Sequence, residues 1–383
     1  MGLFSSKETP NFLGVDIGGS SIKMVELTNN NGRAQLVTYG FLERSLAGDV
    51  KLIDAPDKTA ELIKNVVAQS KVVTKKVVTA LPAAAVYSSI IALPQINKKD
   101  LSNAKKIAEA VEWEAKKVLP MPIEEMVLDW KLLGIEEKMK KEEKKEGDKK
   151  EDDKKEKEDD GEEKLTGVQV LLTAAAKEVV QKYIAIFKKA GLDLISLETE
   201  SFALARSMVG KDKSLVLLVD IGAVNTDIAV IENGIPLMTR SVSVGGYQIS
   251  KGISQILNIE ISQAEQFKRD LEGNAQELTG EDTLPDVVRQ PIQAIMDEIQ
   301  YTVNFYLDQP ENKGKRVEKI VLSGGTANLF NLPKYFTEQL NIKTFIGNPW
   351  ARVIFPQDLH PILEALGPRL ATSIGLAMRD IES

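Results

Sequence analysis

Cysteine is absent from the 383 residues, and histidine occurs once, as His360. The first absence excludes disulfides, thiolate metal sites and cysteine nucleophiles. The second leaves a His-rich metal site or histidine acid–base chemistry without residues, and Leu359-His360-Pro361 predicts a surface loop. No apolar run approaches the ~20 residues that a bilayer span needs. The opening Met1-Gly2-Leu3-Phe4-Ser5-Ser6-Lys7 also lacks the apolar stretch of a secretory signal, so a cytosolic chain is expected. A surplus of positive charge is lacking too: the net charge is −7. Nothing electrostatic therefore argues for nucleic acid as a partner.

What is present starts with 43% hydrophobic residues, enough to fill the cores of two or more domains. Charge concentrates in one tract, 136–164, with 15 acidic against 11 basic residues and Met139 as its sole apolar side chain. Such a segment cannot bury enough surface to offset its ordering entropy. It reads as disordered or as a solvated, fluctuating helix, and as a tolerated loop insertion rather than an interaction arm, because loops lengthen at little cost. Its flanks agree. Leu128, Trp130 and Leu132 alternate with polar neighbours, Val168–Leu172 reads as a second strand, and the tract would join the two as an overgrown hairpin loop. Leu101, Ala104, Ile107, Ala108, Val111, Ala115 and Val118 predict a helix behind an Asp100 N-cap, ending at Leu119-Pro120. Helices are also expected over 177–190, with Gly191 as its C-cap residue, and over 286–307. Strands and helices alternate, so the class is α/β.

An internal repeat carries the chemistry. Gly14-Val15-Asp16-Ile17-Gly18-Gly19-Ser20-Ser21-Ile22-Lys23 reads as strand, tight turn and returning strand. Leu218-Val219-Asp220-Ile221-Gly222-Ala223-Val224-Asn225-Thr226-Asp227 repeats the design 204 residues later. Turns of this kind can aim backbone N–H groups into one concavity suited to phosphate oxygens. Glycine is expected there for close approach and for positive φ. Asp16 and Asp220 could then hold Mg²⁺, directly or through water, since Mg²⁺ favours few carboxylates plus phosphate. A third element, Lys319-Ile320-Val321-Leu322-Ser323-Gly324-Gly325-Thr326-Ala327-Asn328, reads as strand, Gly-Gly turn and helix start, where a base or ribose could lie on bare backbone. Neither a Walker A sequence nor a Gly-x-Gly-x-x-Gly fingerprint occurs.

Two such turns in register, followed by a late Gly-Gly element, resemble the actin/DnaK-chaperone/sugar-kinase superfamily with its phosphate-1, phosphate-2 and adenosine motifs. Within it the chain resembles the PilM family of type IV pilus assembly proteins, in the FtsA-like branch. The stretches that carry this likeness are Met1-Gly2-Leu3-Phe4 ahead of Leu13–Gly18, Val77–Pro82 with Ile91–Pro94, and Trp113-Glu114-Ala115 leading into Leu119–Glu125. The resemblance implies an actin-like ATPase fold, two duplicated lobes around a nucleotide cleft, with an FtsA-like inserted subdomain 1C. It implies subdomain 1A over 1–80 and 173–213, 1C over 81–172, 2A over 214–250 and 315–370, 2B over 251–314, and a C-terminal helix, 371–383, returning to 1A.

ATP and Mg²⁺ are the implied ligands. Gly18, Gly19, Ser20, Ser21 and Lys23 would serve the first phosphate turn, Gly222, Ala223, Asn225 and Thr226 the second. Glu265, Lys268 and Arg269 would contact adenosine beside Gly324, Gly325 and Asn328. The implied role is a cytoplasmic scaffold at the inner membrane, peripheral through its partners. A groove between 1A and 1C would take the N-terminal peptide of a PilN-like membrane protein, and pilus motor ATPases are a second class of partner. A small-molecule kinase and a division protein like FtsA are the alternatives. The first needs a carboxylate base beside a sugar hydroxyl, and the second a C-terminal amphipathic helix. Relatives fill the second turn with glycine and threonine, whereas Val224 is β-branched and restricts approach to a terminal phosphate. No water-activating base is legible, so weak or no hydrolysis is expected, with Asp220 the candidate catalytic residue if it occurs.

Overall fold

The computed structural model describes residues 10–44, 51–94, 96–97, 100–101, 103–133, 164–165, 168–279, 284 and 286–381. The charged tract lies outside the described residues apart from Lys164. The chain forms two compact units, Met1–Ala84 with Gln181–Ser383, and Ala85–Val180.

In chain order the larger unit opens with β1 (Asn11–Ile17), β2 (Ser21–Asn30), β3 (Arg33–Glu43), α1 (Pro56–Gln69) and β4 (Lys76–Leu81). The smaller unit holds β5 (Val86–Leu93), β6 (Ile96–Asn97), α2 (Ala104–Val118), β7 (Met126–Leu133), β8 (Lys164–Leu165) and β9 (Val168–Ala176). Next come α3 (Lys177–Ala190), β10 (Asp193–Thr199), α4 (Glu200–Leu204), β11 (Val216–Ile221), β12 (Thr226–Glu232) and β13 (Ile235–Val242). The chain continues with α5 (Gly246–Leu257), α6 (Ile261–Thr279), α7 (Asp286–Leu307), β14 (Lys319–Ser323) and α8 (Leu332–Leu340). It closes with β15 (Thr344–Ile346), β16 (Val353–Ile354) and α9 (His360–Ala377).

The sequence repeat is the visible edge of a larger duplication. One sheet runs β10-β4-β1-β2-β3-β16 and the other β13-β12-β11-β14-β15. In both, an antiparallel three-strand meander is extended by two parallel strands beyond its first strand. Read outward from the meander, β3-β2-β1-β4-β10 and β13-β12-β11-β14-β15 are the same arrangement. The central strands β1 and β11 are near-continuous apolar runs because both their faces are covered. Around the second sheet, Val219, Ile221, Ile228 and Leu322 pack with Ile249, Ile253, Ile295 and Ile299 of α5 and α7.

Helix α9 is almost wholly buried from Gly367 to Ala377. Glycine makes this possible on both of its contacts. A Cβ on Gly14 of β1 would stand 2.1 Å from the Ser373 carbonyl, and one on Gly375 would stand 1.9 Å from the Ala203 carbonyl. The other end of α9 is tied to the second sheet, where the Gly324 N–H donates to the Pro368 carbonyl at 3.0 Å.

In the smaller unit, β7 and β9 pair antiparallel with Leu133 opposite Gln169, the hairpin that the flanking alternation predicts. Ile107, Val111 and Ala115 of α2 pack on Ile91, Leu93, Val170 and Leu172. The start of α2 differs from expectation. The helix begins at Ala104, and the Asn103 side chain accepts from the Lys106 N–H, while Asp100 pairs with the Lys106 ammonium at 2.8 Å. An Asp and an Asn both cap well, and the one adjacent to the first helical turn prevails. His360 differs too: it is the exposed first residue of α9 and faces Glu364 one turn on, rather than sitting in a loop. Helices α3 and α7 match the expected 177–190 and 286–307, and Gly191 follows α3 at φ 76°. No helix among the described residues is long and apolar enough to cross a membrane.

Candidate functional site

The two repeated hairpins share their turn chemistry. The Gly18 N–H donates to the Ser21 carbonyl at 2.8 Å, and the Gly222 N–H to the Asn225 carbonyl at 3.0 Å. Asp16 faces Lys23 across β1 and β2, and Asp220 faces Asp227 across β11 and β12. The glycines act through space rather than through φ. Gly18, Gly19 and Gly222 lie outside the left-handed region, contrary to expectation. A Cβ on Gly19, however, would stand 2.7 Å from the Val224 side chain, and one on Gly222 3.0 Å from the Asn225 carbonyl. The two turns therefore meet, with Val224 lying directly over Gly19.

Lys23 binds the halves electrostatically. Its ammonium lies 3.0 Å from the Asp16 carboxylate. Burial works against the charge, but Asp16, Asp220 and Glu200 together outweigh it and raise the lysine pKa above its ordinary value. Asp220 belongs to the opposite sheet, so one cation stands between carboxylates of both hairpins.

In front of this cluster opens a cavity of about 530 Å³, within the size range of small-molecule sites. Of the residues expected from sequence, Ser20, Ser21 and Lys23 form its first wall, and Asp220, Gly222 and Ala223 the second. Glu265, Lys268 and Arg269 enter from α6, and Gly324 and Gly325 form part of the floor. Gly18 and Gly19 shape the turn without lining the cavity, and Asp16 stands behind Lys23. Thr226 is buried and its hydroxyl donates to the Val244 carbonyl at 2.7 Å, while Asn225 contributes its backbone carbonyl to the turn. Asn328 turns away, donating to the Ala365 carbonyl at 3.1 Å.

The expected helix start after Gly324 is a single 3-10 turn, Gly325–Asn328, and α8 begins only at Leu332. Gly324 itself has φ 85° and lies so close to β11 that a Cβ would stand 2.3 Å from the Ile221 carbonyl. The helix that does open at the cavity is α5, unnoticed in the sequence. Its Gly246 and Tyr247 N–H groups donate to the Gly222 and Ala223 carbonyls at 2.9 and 2.8 Å, which docks it on the second hairpin. The Gly245-Gly246 pair ahead of an amphipathic run was the legible signal. Glu43, Arg44 and Arg369 are further wall residues that nothing local predicted.

Charge in the walls is held in place. Lys268 is buried, and its ammonium donates to the Gly246 carbonyl at 3.1 Å and to Glu265 at 2.8 Å. Of the Glu265-Lys268-Arg269 set only Lys268 is buried, and Arg269 is 42% exposed. Burial opposes the Glu265 carboxylate, yet Lys268, Ser250 and Arg269 keep its pKa below the usual range. Behind the hairpins the balance reverses. Burial, with Asp227, Asp16 and Asp220 nearby, pushes the Glu200 carboxyl well up, although the Ala83 N–H donates to it. Burial also raises Asp220, against the pull of Lys23, and pushes Asp227 up to about 6. Sequence reasoning missed Glu200 because it lies on α4, remote in the chain from both motifs.

The cavity suits an anion with a flat end. Lys23, Lys268, Arg269 and Arg369 face it, and bare backbone is required at Gly246, where a Cβ would stand 2.7 Å from the Thr326 hydroxyl and 3.1 Å from the Lys268 ammonium. Asp220, an oxygen donor beside these cations, fits a Mg²⁺ that keeps its waters and reaches the protein on phosphate.

A family model described as Type IV pilus assembly protein PilM matches residues 14–146 and 159–381. The stretch it passes over falls inside the charged tract. Among solved structures, the PilM-PilN type IV pilus biogenesis complex superposes with a TM-score of 0.75 at 26% identity, covering 97% of this chain and 98% of that one. The ethanolamine utilization protein EutJ from Carboxydothermus hydrogenoformans gives a TM-score of 0.52 at 18% identity, covering 96% and 89%, a likeness of fold alone. Cell division protein FtsA of Bacillus subtilis (strain 168) is 31% identical over 115 residues, 28% of this chain and 26% of that protein. FtsA of Pseudomonas aeruginosa is 25% identical over 232 residues, 56% and 54% of the two chains. The matched regions thus span about half or less of these FtsA relatives. The fold is the actin-like ATPase fold.

Proposed function

The chain belongs to the type IV pilus assembly protein PilM family, and from that premise we propose that it works as a nucleotide-loaded scaffold of the pilus assembly platform. Its partner is the N-terminal cytoplasmic peptide of a PilN-like membrane protein, which holds it at the cytoplasmic face of the inner membrane. The similarity to a PilM-PilN complex over 97% of the chain supports the partner. The observation that carries the ligand is the cavity: two repeated hairpins, one half-buried lysine between their carboxylates, and a bare Gly324-Gly325 floor.

ATP and Mg²⁺ are the ligands we assign. Lys23 would hold phosphate oxygens between the hairpins, with the backbone of Gly222, Ala223 and Gly246 alongside. Asp220 would hold Mg²⁺ through water, and Asp16 would act through Lys23. Mg²⁺ supplies neutralisation of polyphosphate charge when bound. Lys268, Arg269, Gly324 and Gly325 would surround the nucleoside. In this assignment the smaller unit, Ala85–Val180, is the inserted subdomain 1C.

Retention rather than turnover is the expected use of the nucleotide. Val224 rests on Gly19 where the two turns meet, the place a terminal phosphate and its attacking water would need. Calorimetry should show Mg·ATP binding to the purified protein that is weakened at least about tenfold by Lys23→Ala, the scale of one charge-assisted contact. Wild-type affinity in that variant, or no binding by the parent protein, would overturn the ligand assignment. A PilN-like peptide that fails to co-purify with the protein would overturn the scaffold.

A further inference from the structure

Glu43 is the last residue of β3 and lies opposite Ser21 of the first hairpin. One oxygen of its carboxylate accepts from Arg269 Nη2 at 2.8 Å, and the other from Arg369 Nη1 at 3.3 Å. Arg269 comes from α6, on the opposite wall, and Arg369 from α9. All three side chains line the same cavity. A single carboxylate therefore joins three elements around the ligand space, and in doing so joins the first sheet to α6.

Two features suit this junction to opening and closing rather than to permanent support. The side chains of Glu43 and Arg269 are 34% and 42% exposed, so water competes for the pair and it adds little to stability. A guanidinium also carries five N–H donors, and Glu43 takes one nitrogen from each arginine. Glu43 therefore orients both planes while their other edges stay turned to neighbouring groups and to the cavity. Arg369 lies along Gly325, with its Nε 3.5 Å from where a Cβ would be, so it continues the Gly324-Gly325 floor.

We propose that Glu43 is a positioning residue that clips Arg269 and Arg369 together across the cavity and so sets how long a bound nucleotide stays. The inference rests on the nucleotide reading of the cavity. Opening the walls for the ligand to leave requires the Glu43–Arg269 pair to break, and the same opening admits it, so the pair acts on both rates more than on affinity.

The test compares the protein with Glu43→Gln, which keeps the size of the side chain and removes its charge. Stopped-flow release of a fluorescent ATP analogue should be about 2- to 5-fold faster in the variant, the scale of one exposed ion pair, with equilibrium affinity changed much less. Raising NaCl from about 0.1 to about 1 M should hasten release from the parent protein by a larger factor than from the variant. The Glu43→Gln, Arg269→Gln pair should release no faster than the worse single variant, as expected when one residue acts through the other. A merely structural role would move neither the salt response nor this coupling.

Wall separation gives a readout that needs no nucleotide. The chain has no cysteine, so Val37→Cys on exposed β3 and Gln263→Cys on exposed α6 accept spin labels at those sites alone. The clip predicts a broader, longer distance distribution with Glu43→Gln than without it. Matching distributions, or matching release rates and salt responses, overturn the proposal. If the parent protein takes up no analogue, the nucleotide reading falls while the distance measurement still decides the clip.

Discussion

At the scale of single residues, several glycines that look interchangeable in sequence do different work. Gly324 is held at φ 85° against the β11 backbone, whereas Gly246 borders the cavity beside Thr326 and Lys268. Gly324→Val should therefore damage folding itself, since left-handed backbone and a backbone clash both oppose it. Gly246→Ala should lower Mg·ATP affinity by more than it lowers the melting temperature. Thermal melts beside calorimetry separate the two, and equal affinity in Gly246→Ala would remove that glycine from the ligand surface. Titration at Asp227 gives a second residue-level expectation. Its carboxyl rises from the ordinary Asp value to about 6 in the fold. The native state thus binds the proton more tightly, and the stability linked to it is full below about pH 4 and is lost as pH rises through about 6. Asp227→Asn, which cannot ionise, should make the nucleotide-free protein more stable than the parent at pH 7.5, by roughly 1–3 kcal/mol. The gap should shrink towards pH 5. Parallel stability curves across that range would show that Asp227 keeps an ordinary pKa.

Elements show where local signals suffice and where they mislead. The Asp-Ile-Gly hairpins were legible because a tight turn and its strand pairs are decided by neighbours in sequence. Their shared Gly N–H to carbonyl bond follows from the same local spacing. What the hairpins do jointly was not legible, because Val224 meets Gly19 across two sheets. Val224→Gly should open the gap between the turns and raise steady-state ATP hydrolysis at least about tenfold over the parent protein. Asp220→Asn in that background should abolish the gain, since Asp220 is the hairpin carboxylate that lines the cavity. A phosphate-release assay in which Val224→Gly stays at the parent rate would show that the turn contact does not limit turnover. The charged tract makes a separate expectation. Strands β7 and β9 pair up to Leu133 and Gln169, and Lys164–Leu165 pairs with Ile96–Asn97. Replacing 136–163 by a short turn should leave folding and nucleotide affinity nearly unchanged. A fall in melting temperature of more than about 5 °C, roughly 1–2 kcal/mol, would mean that the tract packs on the body.

For the whole molecule, a scaffold that uses nucleotide to hold its shape must obey linkage. If ATP changes the affinity for a PilN-like peptide by some factor, the peptide must change ATP affinity by the same factor. Peptide titrations with and without saturating Mg·ATP, and the reverse pair, check this directly. Peptide affinity indifferent to ATP would leave the protein a scaffold in which the nucleotide has no part.

By itself the sequence determined the class of fold, the two Asp-Ile-Gly turns, the limits of α3 and α7 and the place of the insertion. Each depends on local periodicity, turn chemistry or composition. Even so, local reasoning chose Asp100 where Asn103 caps α2, and a helix after Gly324 where one 3-10 turn stands. Only the tertiary structure decided the remainder of the site. Glu43 and Arg369 lie 326 positions apart in the chain, and Glu43 and Arg269 226 apart, yet they share one carboxylate. Glu200 and Asp227 have raised pKa values because packing buries them and brings Asp16 and Asp220, one from each hairpin, close to both. Burial and charge proximity are properties of the packed duplication. A linear pattern can show that a carboxylate is there, but the field that acts on it arises only when the two halves close around Lys23.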